Sequence, residues 1–405
     1  MRFLVLSQVF WPDNASTSQH LTDLAVALVN KGHDVHVLSS RRGYEDPAVR
    51  YRERETYRGV QVERIRQTGF GKKRNIGRMI DFLSFNLNLF LRLLFVRKGQ
   101  YQVMLGMTSP PLVSFLGVHA AWRTGCRFCY WVMDLQPELA IATKVVRKGS
   151  VTAWILMWLG DLVFRQADRI IALDRFMKGY IEERGAEPAK VFVVPVWPVM
   201  TGLDEGPRES NPFRVEHGFE DRLVVMYSGN HSIVHPLDTL LDATLRLRAD
   251  PRFLFVFIGG GVRKQDVTSF RKRHGLSNIQ QFPYQPRELI HLSLGSADIH
   301  VVVQGEGVVG FTHPNKIYGA MFIGRPILSI GPRPSHITDI LDECPGNIQV
   351  RHGEDELLAR ALLDFADRGR PLQEEAGRRN REYASLHFPP SRLIHQMTEE
   401  LEELA

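Results

Sequence analysis

The first candidate functional residue of this sequence is a lysine that follows a loop interrupted by glycines. It belongs to the segment 313–328, HPNKIYGAMFIGRPIL, which comes after an apolar run and a loop with three glycines. Because the fixed φ of proline suits the first turn of a helix, Pro314 predicts a helix start with Asn315 and Lys316 in that turn. Unpaired N–H groups and the positive end of the helix dipole attract phosphate there, and Lys316 adds a charge. A βαβ corner in an ordinary core is the alternative that this stretch leaves open.

Two carboxylates four residues apart form the second candidate. Asp134 and Glu138 lie in DLQPE, directly after a strand-like run. Open α/β sheets bind their ligands at the carboxyl ends of strands, so one of the two could act as a general acid or base or hold a sugar hydroxyl. The alternative is an aspartate that caps a helix, followed by a solvated glutamate.

Metal and thiol chemistry are not indicated. His20, His33, His36 and His119 show no ligand spacing with other candidates, so we expect no metal site. The chain has three cysteines, too few for a disulfide framework, which suggests a reducing compartment. The C-x-x-C pair falls inside the strand-like run CRFCYWVMD, so both cysteines are expected in the core.

Strand-like and helix-like runs alternate through both halves of the 405 residues, which predicts two doubly wound α/β domains. Ser16 or Thr17 is expected to cap the first helix, and the absence of G-x-G-x-x-G there argues against a dinucleotide. The predicted domains are 1–200 and 223–388, with a polar linker at 201–222 and a C-terminal helix at 389–405. The predicted strands cover 2–10, 34–40, 60–66, 101–108, 127–134, 169–173, 191–196, 223–227, 253–258, 278–282, 298–303, 326–330 and 347–350.

Charge is distributed unevenly along the chain. Residues 1–200 carry 28 lysines and arginines against 17 acidic residues, whereas the rest carries 23 against 28. The basic half contains an unusually apolar helix, 74–98, with basic residues at both ends and one polar stripe of Asp81, Ser84, Asn88 and Arg92. Such a helix is either buried or lies in an anionic membrane interface, and the sequence leaves both open. The residues predicted to face the membrane are Lys72, Lys73, Arg74, Arg78, Phe82 and Phe85.

Other localisations and partners are disfavoured. The N-terminus lacks the features of an export signal, and no run of eighteen apolar residues predicts a spanning helix. We therefore expect a cytoplasmic protein, peripheral at the inner membrane. Nucleic acid is not an expected partner, because the basic residues alternate with an apolar helix face rather than with a stacking platform.

The motifs of the second half resemble those of GT-B-fold glycosyltransferases. They are most similar to family 4, the retaining nucleotide-sugar transferases, and within it to the branch that builds bacterial surface polysaccharides such as O-antigen and capsule. DLQPE resembles that branch's Asp-x-Trp-Pro-Glu, with Gln136 in place of tryptophan, and VVPVWP resembles its Pro-Asn-Trp, with Val196 in place of asparagine. The second-half motifs are Gly229-Asn230, Gly259-Gly260-Gly261, Ala297-Asp298, Pro314-Asn315-Lys316 and Gly324-Arg325-Pro326.

This resemblance implies two Rossmann-like domains facing across a cleft, with the C-terminal helix packing back on the first domain. It also implies a retaining transfer of a hexosyl or N-acetylhexosaminyl group. The donor would be a nucleotide-diphosphate sugar, with UDP as one candidate nucleotide, and the acceptor a lipid-linked molecule or a saccharide. No metal is needed, because Lys316 and the helix start would stabilise the departing diphosphate. The implied catalytic residues are Asp134 and Glu138, with Ser16 and Thr17 in the first-domain loop. The implied donor-binding residues are Gly229, Asn230, Pro314, Asn315, Lys316, Tyr318 and Gly319.

The sequence departs from the family pattern at several positions. Family members commonly carry two glutamates eight residues apart where this chain has Phe311 and Gly319. The arginine and lysine that often follow the first glycine of the second domain are absent, with Asn230 and His235 nearby instead. Diphosphate neutralisation then depends more on Lys316 and backbone amides. A nucleotide-sugar 2-epimerase of the same fold and a catalytically silent nucleotide-sugar-binding partner remain as alternative functions.

Overall fold

The chain folds around two sheets, each in a unit of its own. The computed structural model describes residues 1–44, 46–71, 75–198, 208–219 and 221–405. The first unit contains Met1–Trp197, Gly310–His313 and Pro390–Ala405, and the second contains Pro198–Val309 and Pro314–Pro389. Lys72, Lys73 and Arg74, which were predicted to face the membrane, lie outside the described residues.

The first sheet has eight strands in the order β3-β4-β2-β1-β5-β6-β7-β8. All neighbouring pairs are parallel except the hairpin β3–β4, whose turn residues Arg58 and Gly59 both have positive φ. The central strands are buried on both faces, which explains their continuous apolar sequences. The strands are β1 (Arg2–Leu6), β2 (Asp34–Ser40), β3 (Arg54–Tyr57), β4 (Val60–Ile65), β5 (Val103–Met107), β6 (Arg127–Trp131), β7 (Arg169–Ala172) and β8 (Val191–Val193).

Six helices connect these strands. The first begins at Ser16, and its N-cap, Ala15, makes no side-chain cap hydrogen bond. Because Ala15 occupies the N-cap position, the predicted cap by Ser16 or Thr17 is wrong. The Ser16 hydroxyl instead lies 3.3 Å from Nδ1 of His20, one turn further on. The helices are α1 (Ser16–Asn30), α2 (Asn75–Leu94), α3 (Val113–Thr124), α4 (Gln136–Ala142), α5 (Val151–Gln166) and α6 (Arg175–Glu183).

The second sheet is entirely parallel, with the order β11-β10-β9-β12-β13-β14. Its strands are β9 (Leu223–Ser228), β10 (Phe253–Ile258), β11 (Ile279–Phe282), β12 (Ile299–Val303), β13 (Ile327–Ile330) and β14 (Ile348–Val350). Its helices are α7 (Pro212–Glu216), α8 (Asp238–Arg246), α9 (Lys264–His274), α10 (Ile290–Gly295), α11 (Lys316–Phe322), α12 (His336–Asp342), α13 (Asp355–Asp367) and α14 (Arg370–His387). Because α7 packs on α10, part of the predicted linker 201–222 belongs to the second unit.

The last helix, α15 (Pro390–Glu402), returns to the first unit, as predicted. It packs against α1 with Met397 and Leu401 buried. Two ion pairs of 2.6 Å flank this contact, Lys31–Glu402 and Arg169–Glu400.

Each sheet has one point where the chain reverses the direction in which it adds strands. In the first sheet this switch lies between β1 and β5, and in the second between β9 and β12. The loops that leave two such strands diverge to opposite faces of the sheet and open a crevice between them. In the second unit, the loop after β9 begins with Gly229 and the loop after β12 leads to Lys316.

Candidate functional site

The segment around Lys316 forms a short helix after the β12 loop. Helix α11 begins at Lys316 with Asn315 as its N-cap, so Pro314 precedes the helix and does not lie in its first turn as predicted. The helix ends at Phe322, and the Arg381 guanidinium donates to the carbonyls of Phe322, at 3.1 Å, and Ile323, at 2.6 Å. The C-terminal end of α11 is thus fixed within the second unit, and Lys316 lies at its other end, beside the switch point.

The ammonium group of Lys316 is buried and lacks a hydrogen-bond partner among the described residues. It lies 3.8 Å from the centroid of the Tyr227 ring. This cation–π contact stabilises the charged ammonium less than hydration by water would. Burial lowers the pKa of Lys316 to about 7. A buried cation without an anionic partner is costly, which indicates that an anion completes this site.

Glycines surround the ammonium group because the two adjacent loops approach each other too closely for side chains. Gly229 has φ +136°, and a Cβ there would lie 3.3 Å from Nζ of Lys316. A Cβ at Gly259 would lie 2.1 Å from the Gly229 carbonyl oxygen, and one at Gly261 would lie 2.3 Å from Oδ1 of Asn230. The structure therefore brings together Gly229, Asn230 and Lys316, three of the residues predicted to bind the donor.

Two histidines of the same loop were not among the predicted site residues. His231 is buried, and burial together with the nearby Lys316 charge lowers its pKa to about 4. Burial and the Lys316 charge also lower the pKa of His235, to about 3. The sequence signal was available in Gly229-Asn230-His231-Ser232, which follows a strand directly, but a histidine in a loop does not reveal its burial.

Two further residues predicted to bind the donor lie on α11, Tyr318 and Gly319. Tyr318 is 1% exposed and packs edge-on against Phe388, with ring centroids 4.8 Å apart, so its ring belongs to the core and its contact with a donor remains a prediction. A Cβ at Gly319 would meet only Leu294, at an ordinary contact distance of 3.8 Å. A side chain at position 319 would therefore fit without a clash, so no close contact requires glycine there.

The two predicted catalytic carboxylates have different surroundings in the first unit. Asp134 is half-buried, no described residue forms a hydrogen bond or ion pair with its carboxylate, and burial raises its pKa to about 7. It does not cap the following helix, because the N-cap of α4 is Leu135. Its backbone forms an antiparallel bridge with Thr312. An unpaired carboxylate that titrates near neutrality is suited to general acid–base chemistry.

Glu138 is buried, not solvated as the alternative assumed. Its Oε1 accepts hydrogen bonds from Arg184, at 2.8 Å, and from the Tyr180 hydroxyl, at 3.0 Å. Arg184 also pairs with Asp161 on α5. These contacts join α4, α5 and α6, so Glu138 has an evident structural role, and its predicted catalytic role remains a prediction.

Ser16 lies beside a buried histidine network in the first unit. The carbonyl of Ser16 lies 2.7 Å from Nδ1 of His20, whose Nε2 lies 2.8 Å from the Trp197 carbonyl. His313 pairs with Asp174 at 2.7 Å, and Asp174 caps α6 through Met177 N. These bonds within the protein do not test the predicted contact of Ser16 and Thr17 with a substrate, which remains a prediction.

The polar stripe of α2 is turned towards the protein. The buried Asp81 carboxylate accepts hydrogen bonds from the Thr68 hydroxyl, Phe70 N and Gly71 N at 2.6, 3.0 and 2.8 Å. Arg92, at the other end of the stripe, pairs with Glu63 at 2.6 Å. Phe85, predicted to face a membrane, is fully buried, so that assignment is wrong. The helix buries its polar side because the preceding loop offers backbone N–H groups that need acceptors.

The opposite side of α2 is exposed and apolar. Together with α3 and α5 it forms a surface that we call the α2–α3–α5 surface, since α3 contacts both of the other helices. Phe95 is 76% exposed, and three tryptophans, Trp122, Trp154 and Trp158, are 80%, 66% and 51% exposed. Its other exposed apolar residues are Met79, Ile80, Leu83, Leu87, Phe90, Leu91, Leu94, Val151 and Ile155.

Basic residues border the α2–α3–α5 surface. Arg78, Arg97 and Lys98 lie exposed at the two ends of α2, and Arg78 packs over the Phe82 ring at 5.2 Å. Lys144, Arg147 and Lys148 lie exposed just before α5. Among the described residues, none of the helices combines the length and the apolar character that a bilayer crossing requires.

Comparison with known proteins decides the family of the first unit. Residues 17–197 match the family model of the glycosyl transferase 4-like domain. The chain carries a glycosyl transferase 4-like domain. With its two tandem sheets, parallel except for the β3–β4 hairpin, it is a GT-B-fold glycosyltransferase, as the sequence motifs predicted.

Two curated proteins are similar along most of this glycosyltransferase. It is 25% identical to a probable glycosyltransferase WbjE of Pseudomonas aeruginosa over 68% of this chain and 69% of that protein. It is 22% identical to a putative colanic acid biosynthesis glycosyl transferase WcaI of Escherichia coli, over 85% and 87% of the two chains.

A solved structure shows the same fold over the full length. The Anabaena protein HepE in complex with UDP-glucose superposes with a TM-score of 0.72 and 14% identity, covering 100% of both chains. At this identity the similarity supports the fold.

Proposed function

We propose that this glycosyltransferase moves a sugar, with retention of anomeric configuration, from a nucleotide-diphosphate donor to a lipid-linked or saccharide acceptor in bacterial surface polysaccharide biosynthesis. Hexosyl or N-acetylhexosaminyl transfer is proposed, as the resemblance to the family implies. The names of WbjE and WcaI support sugar transfer, the colanic acid biosynthesis in the name of WcaI supports the class of pathway, and the UDP-glucose bound to HepE supports a UDP-linked donor.

The observation that carries this proposal is the buried, unpartnered ammonium of Lys316 among glycines at the switch point of the second sheet. A diphosphate supplies the negative charge that this site lacks, and the glycines leave room for phosphate oxygens near the backbone. We propose that the leaving diphosphate is stabilised by these groups and that no metal takes part in the transfer.

A panel of labelled nucleotide sugars tests the proposal. The protein is incubated with UDP-, GDP-, ADP- and dTDP-linked hexoses and N-acetylhexosamines, each with and without EDTA. We expect transfer, or slow hydrolysis where no acceptor is supplied, with one nucleotide series, and unchanged rates in EDTA. The anomeric configuration of the product, read by NMR, is expected to match that of the donor.

Three outcomes would contradict parts of the proposal. Isomerisation at C2 of the sugar would favour an epimerase, and tight binding without turnover would favour a silent partner. Loss of activity in EDTA that returns with a divalent ion would overturn the metal-free transfer.

We further propose that the α2–α3–α5 surface rests on the cytoplasmic leaflet of an anionic membrane. Its exposed tryptophans and phenylalanine suit the headgroup region, where aromatic rings are favoured. Arg78, Arg97, Lys98 and the basic residues before α5 complement anionic headgroups. A peripheral position would give the enzyme access to a lipid-linked acceptor.

Vesicle sedimentation tests the membrane contact. Each basic residue near an anionic leaflet contributes about 1 kcal/mol, so changing Arg78, Arg97 and Lys98 to glutamate should weaken binding to phosphatidylglycerol vesicles by about 100-fold or more. Trp154→Asp with Trp158→Asp should weaken binding to the same vesicles, whereas Leu357→Asp, an exposed position on α13, should not. If the unaltered protein does not sediment with anionic vesicles, the membrane contact is wrong and a soluble saccharide acceptor is favoured.

A further inference from the structure

In a histidine beside Lys316, one ring nitrogen is hydrogen-bonded to the backbone, and the other has no hydrogen-bond partner among the described residues. The main-chain N–H of His231 donates to the Gly260 carbonyl at 2.7 Å, and Nδ1 lies 3.2 Å from the same oxygen. A carbonyl only accepts, so Nδ1 carries the hydrogen. In the neutral ring, Nε2 is then an acceptor with a bare lone pair.

Three buried nitrogen atoms of this site have no hydrogen-bond partner among the described residues. They are Nε2 of His231, Nδ1 of His235 and Nζ of Lys316. The loop after β9 supplies the two histidines, and α11 supplies the lysine. Unsatisfied buried polar atoms are rare in native proteins, and three in one place indicate a polar ligand.

The groups that face His231 are cationic or neutral. Lys316 approaches from α11 and Lys264 from α9, and both lower the pKa of His231 after the larger effect of burial. His235 lies in the same loop, Tyr227 on β9 packs edge-on at 5.0 Å between ring centroids, and Tyr284 follows β11. With this environment the His231 ring is neutral near pH 7 in the unliganded protein, and Lys316, with a pKa of about 7, is partly neutral there.

We propose that His231 contacts the donor diphosphate through Nε2 in its protonated form, so that donor binding takes up protons at His231 and at Lys316. The inference rests on the proposed nucleotide-diphosphate donor. A neutral Nε2 presents a lone pair to a phosphate oxygen and repels it, whereas the protonated ring donates a charge-assisted hydrogen bond. Lys316 must likewise be an ammonium ion to pair with the diphosphate. The anion raises the pKa of both groups, and the protons come from solvent.

The two groups take up their protons in different pH ranges. At pH 8 Lys316 is mostly neutral before binding, so it accounts for most of an uptake of about one proton. At pH 6 Lys316 is already charged, and the remaining uptake of up to about one proton belongs to His231.

Titration calorimetry in buffers of different ionisation enthalpy, such as HEPES and Tris at pH 8 and MES and Bis-Tris at pH 6, counts these protons. The ligand is the nucleotide sugar that binds best in the panel, because its bridging diphosphate has no proton to exchange in this range. His231→Gln keeps an N–H donor that needs no proton, so we expect it to retain uptake at pH 8 and lose it at pH 6. Lys316→Met should show the reverse. The matched control His274→Gln, at an exposed position on α9, should behave as the unaltered protein.

The possible results separate this inference from the proposed function. Binding with no proton uptake, or with unchanged uptake at pH 6 in His231→Gln, overturns the inference and leaves the donor assignment intact. Failure of every nucleotide sugar to bind overturns the donor assignment itself. If His231→Gln does not fold, the ¹⁵N chemical shift of Nε2 in the unaltered protein decides, because protonation on ligand addition moves it from the range of a bare ring nitrogen to that of an N–H.

Discussion

Replacing Asp134 by asparagine is expected to lower turnover by about 10²–10⁴-fold while leaving donor affinity nearly unchanged. The carboxylate has no described partner, and its pKa of about 7 suits a group that exchanges a proton at neutral pH. If Asp134 acts as the base, the rate of the unaltered enzyme should rise with pH through about 7. That rise should be absent in Asp134→Asn. Steady-state kinetics from pH 5.5 to 9 with the donor at saturation measures both effects.

The same variant is expected to be more stable than the unaltered protein at pH 8. Because burial raises the folded-state pKa of Asp134 to about 7, the charged form is penalised in the folded state and not in the unfolded chain. The neutral carboxyl makes its full contribution to the unfolding free energy below about pH 4, and this contribution is lost as the pH rises to about 7. After allowance for partial exposure, Asp134→Asn should raise the unfolding free energy by about 1–3 kcal/mol at pH 8 and by little below pH 4.

Glu138 provides the contrast for this experiment. Burial raises the pKa of Glu138 as it does that of Asp134, but Glu138→Gln also takes from Arg184 and the Tyr180 hydroxyl the buried carboxylate that they bind, and this loss should destabilise the protein. Opposite signs of the stability change at two carboxylates of one motif would distinguish a functional residue from a structural one. Full activity in Asp134→Asn, or a loss of stability at pH 8, would contradict the assigned role of Asp134.

Hydrophobic periodicity was sufficient to predict the two sheets. Phe253–Ile258 has the predicted bounds because a continuous apolar run of six residues, followed by glycines, has few other structures open to it. Asp34–Ser40 also has the predicted bounds, since its Val35, Val37 and Leu38 follow the helix and the Gly32 turn that precede the strand. Strand β3 was missed, since RETY is short and charged, as edge strands often are. Its only local signal was the Arg58-Gly59 turn.

The pattern of α2 was read correctly as a helix, but its orientation could not be deduced. A stripe of Asp81, Ser84, Asn88 and Arg92 has the same spacing whether it faces water or faces backbone N–H groups. The orientation is decided by the N–H groups of Phe70 and Gly71 and by the side chains of Thr68 and Glu63. These groups precede the helix, and the spacing within the helix does not reveal them.

The site illustrates the same limit at single residues. The resemblance named Gly229 and Asn230 as donor-binding residues, and the glycines after β9 and β10 are needed there because only glycine suits a positive φ next to another main chain. Tyr318 and His231 could not be assigned from spacing, since one turns into the core and the other into the site. Their burial depends on Phe388 and Gly260, which are distant in sequence.

Lys316→Ala is expected to weaken binding of the correct nucleotide diphosphate by about 1.5–3 kcal/mol, the usual range for a hydrogen bond to a charged group. This corresponds to a rise in Kd of roughly 10- to 150-fold. Titration calorimetry at pH 6, where Lys316 is charged before binding, measures the effect without the cost of protonation. Lys272→Met, which removes an exposed lysine of α9, is the matched control and should leave Kd unchanged.

The stability of a Lys316 variant should change in the opposite direction to its affinity. Burial lowers the folded-state pKa of Lys316 to about 7 from an unfolded value near 10.4, so the charged form is penalised in the folded state. Lys316→Met, which keeps the apolar stem, should therefore raise the unfolding free energy at pH 6 by about 1–3 kcal/mol, and the gain should vanish as the pH approaches about 10. Chemical denaturation at pH 6 and pH 10 measures the difference. An unchanged Kd in Lys316→Ala would remove Lys316 from the donor site, whereas weaker binding joined to greater stability is the result expected of a residue retained for an anion.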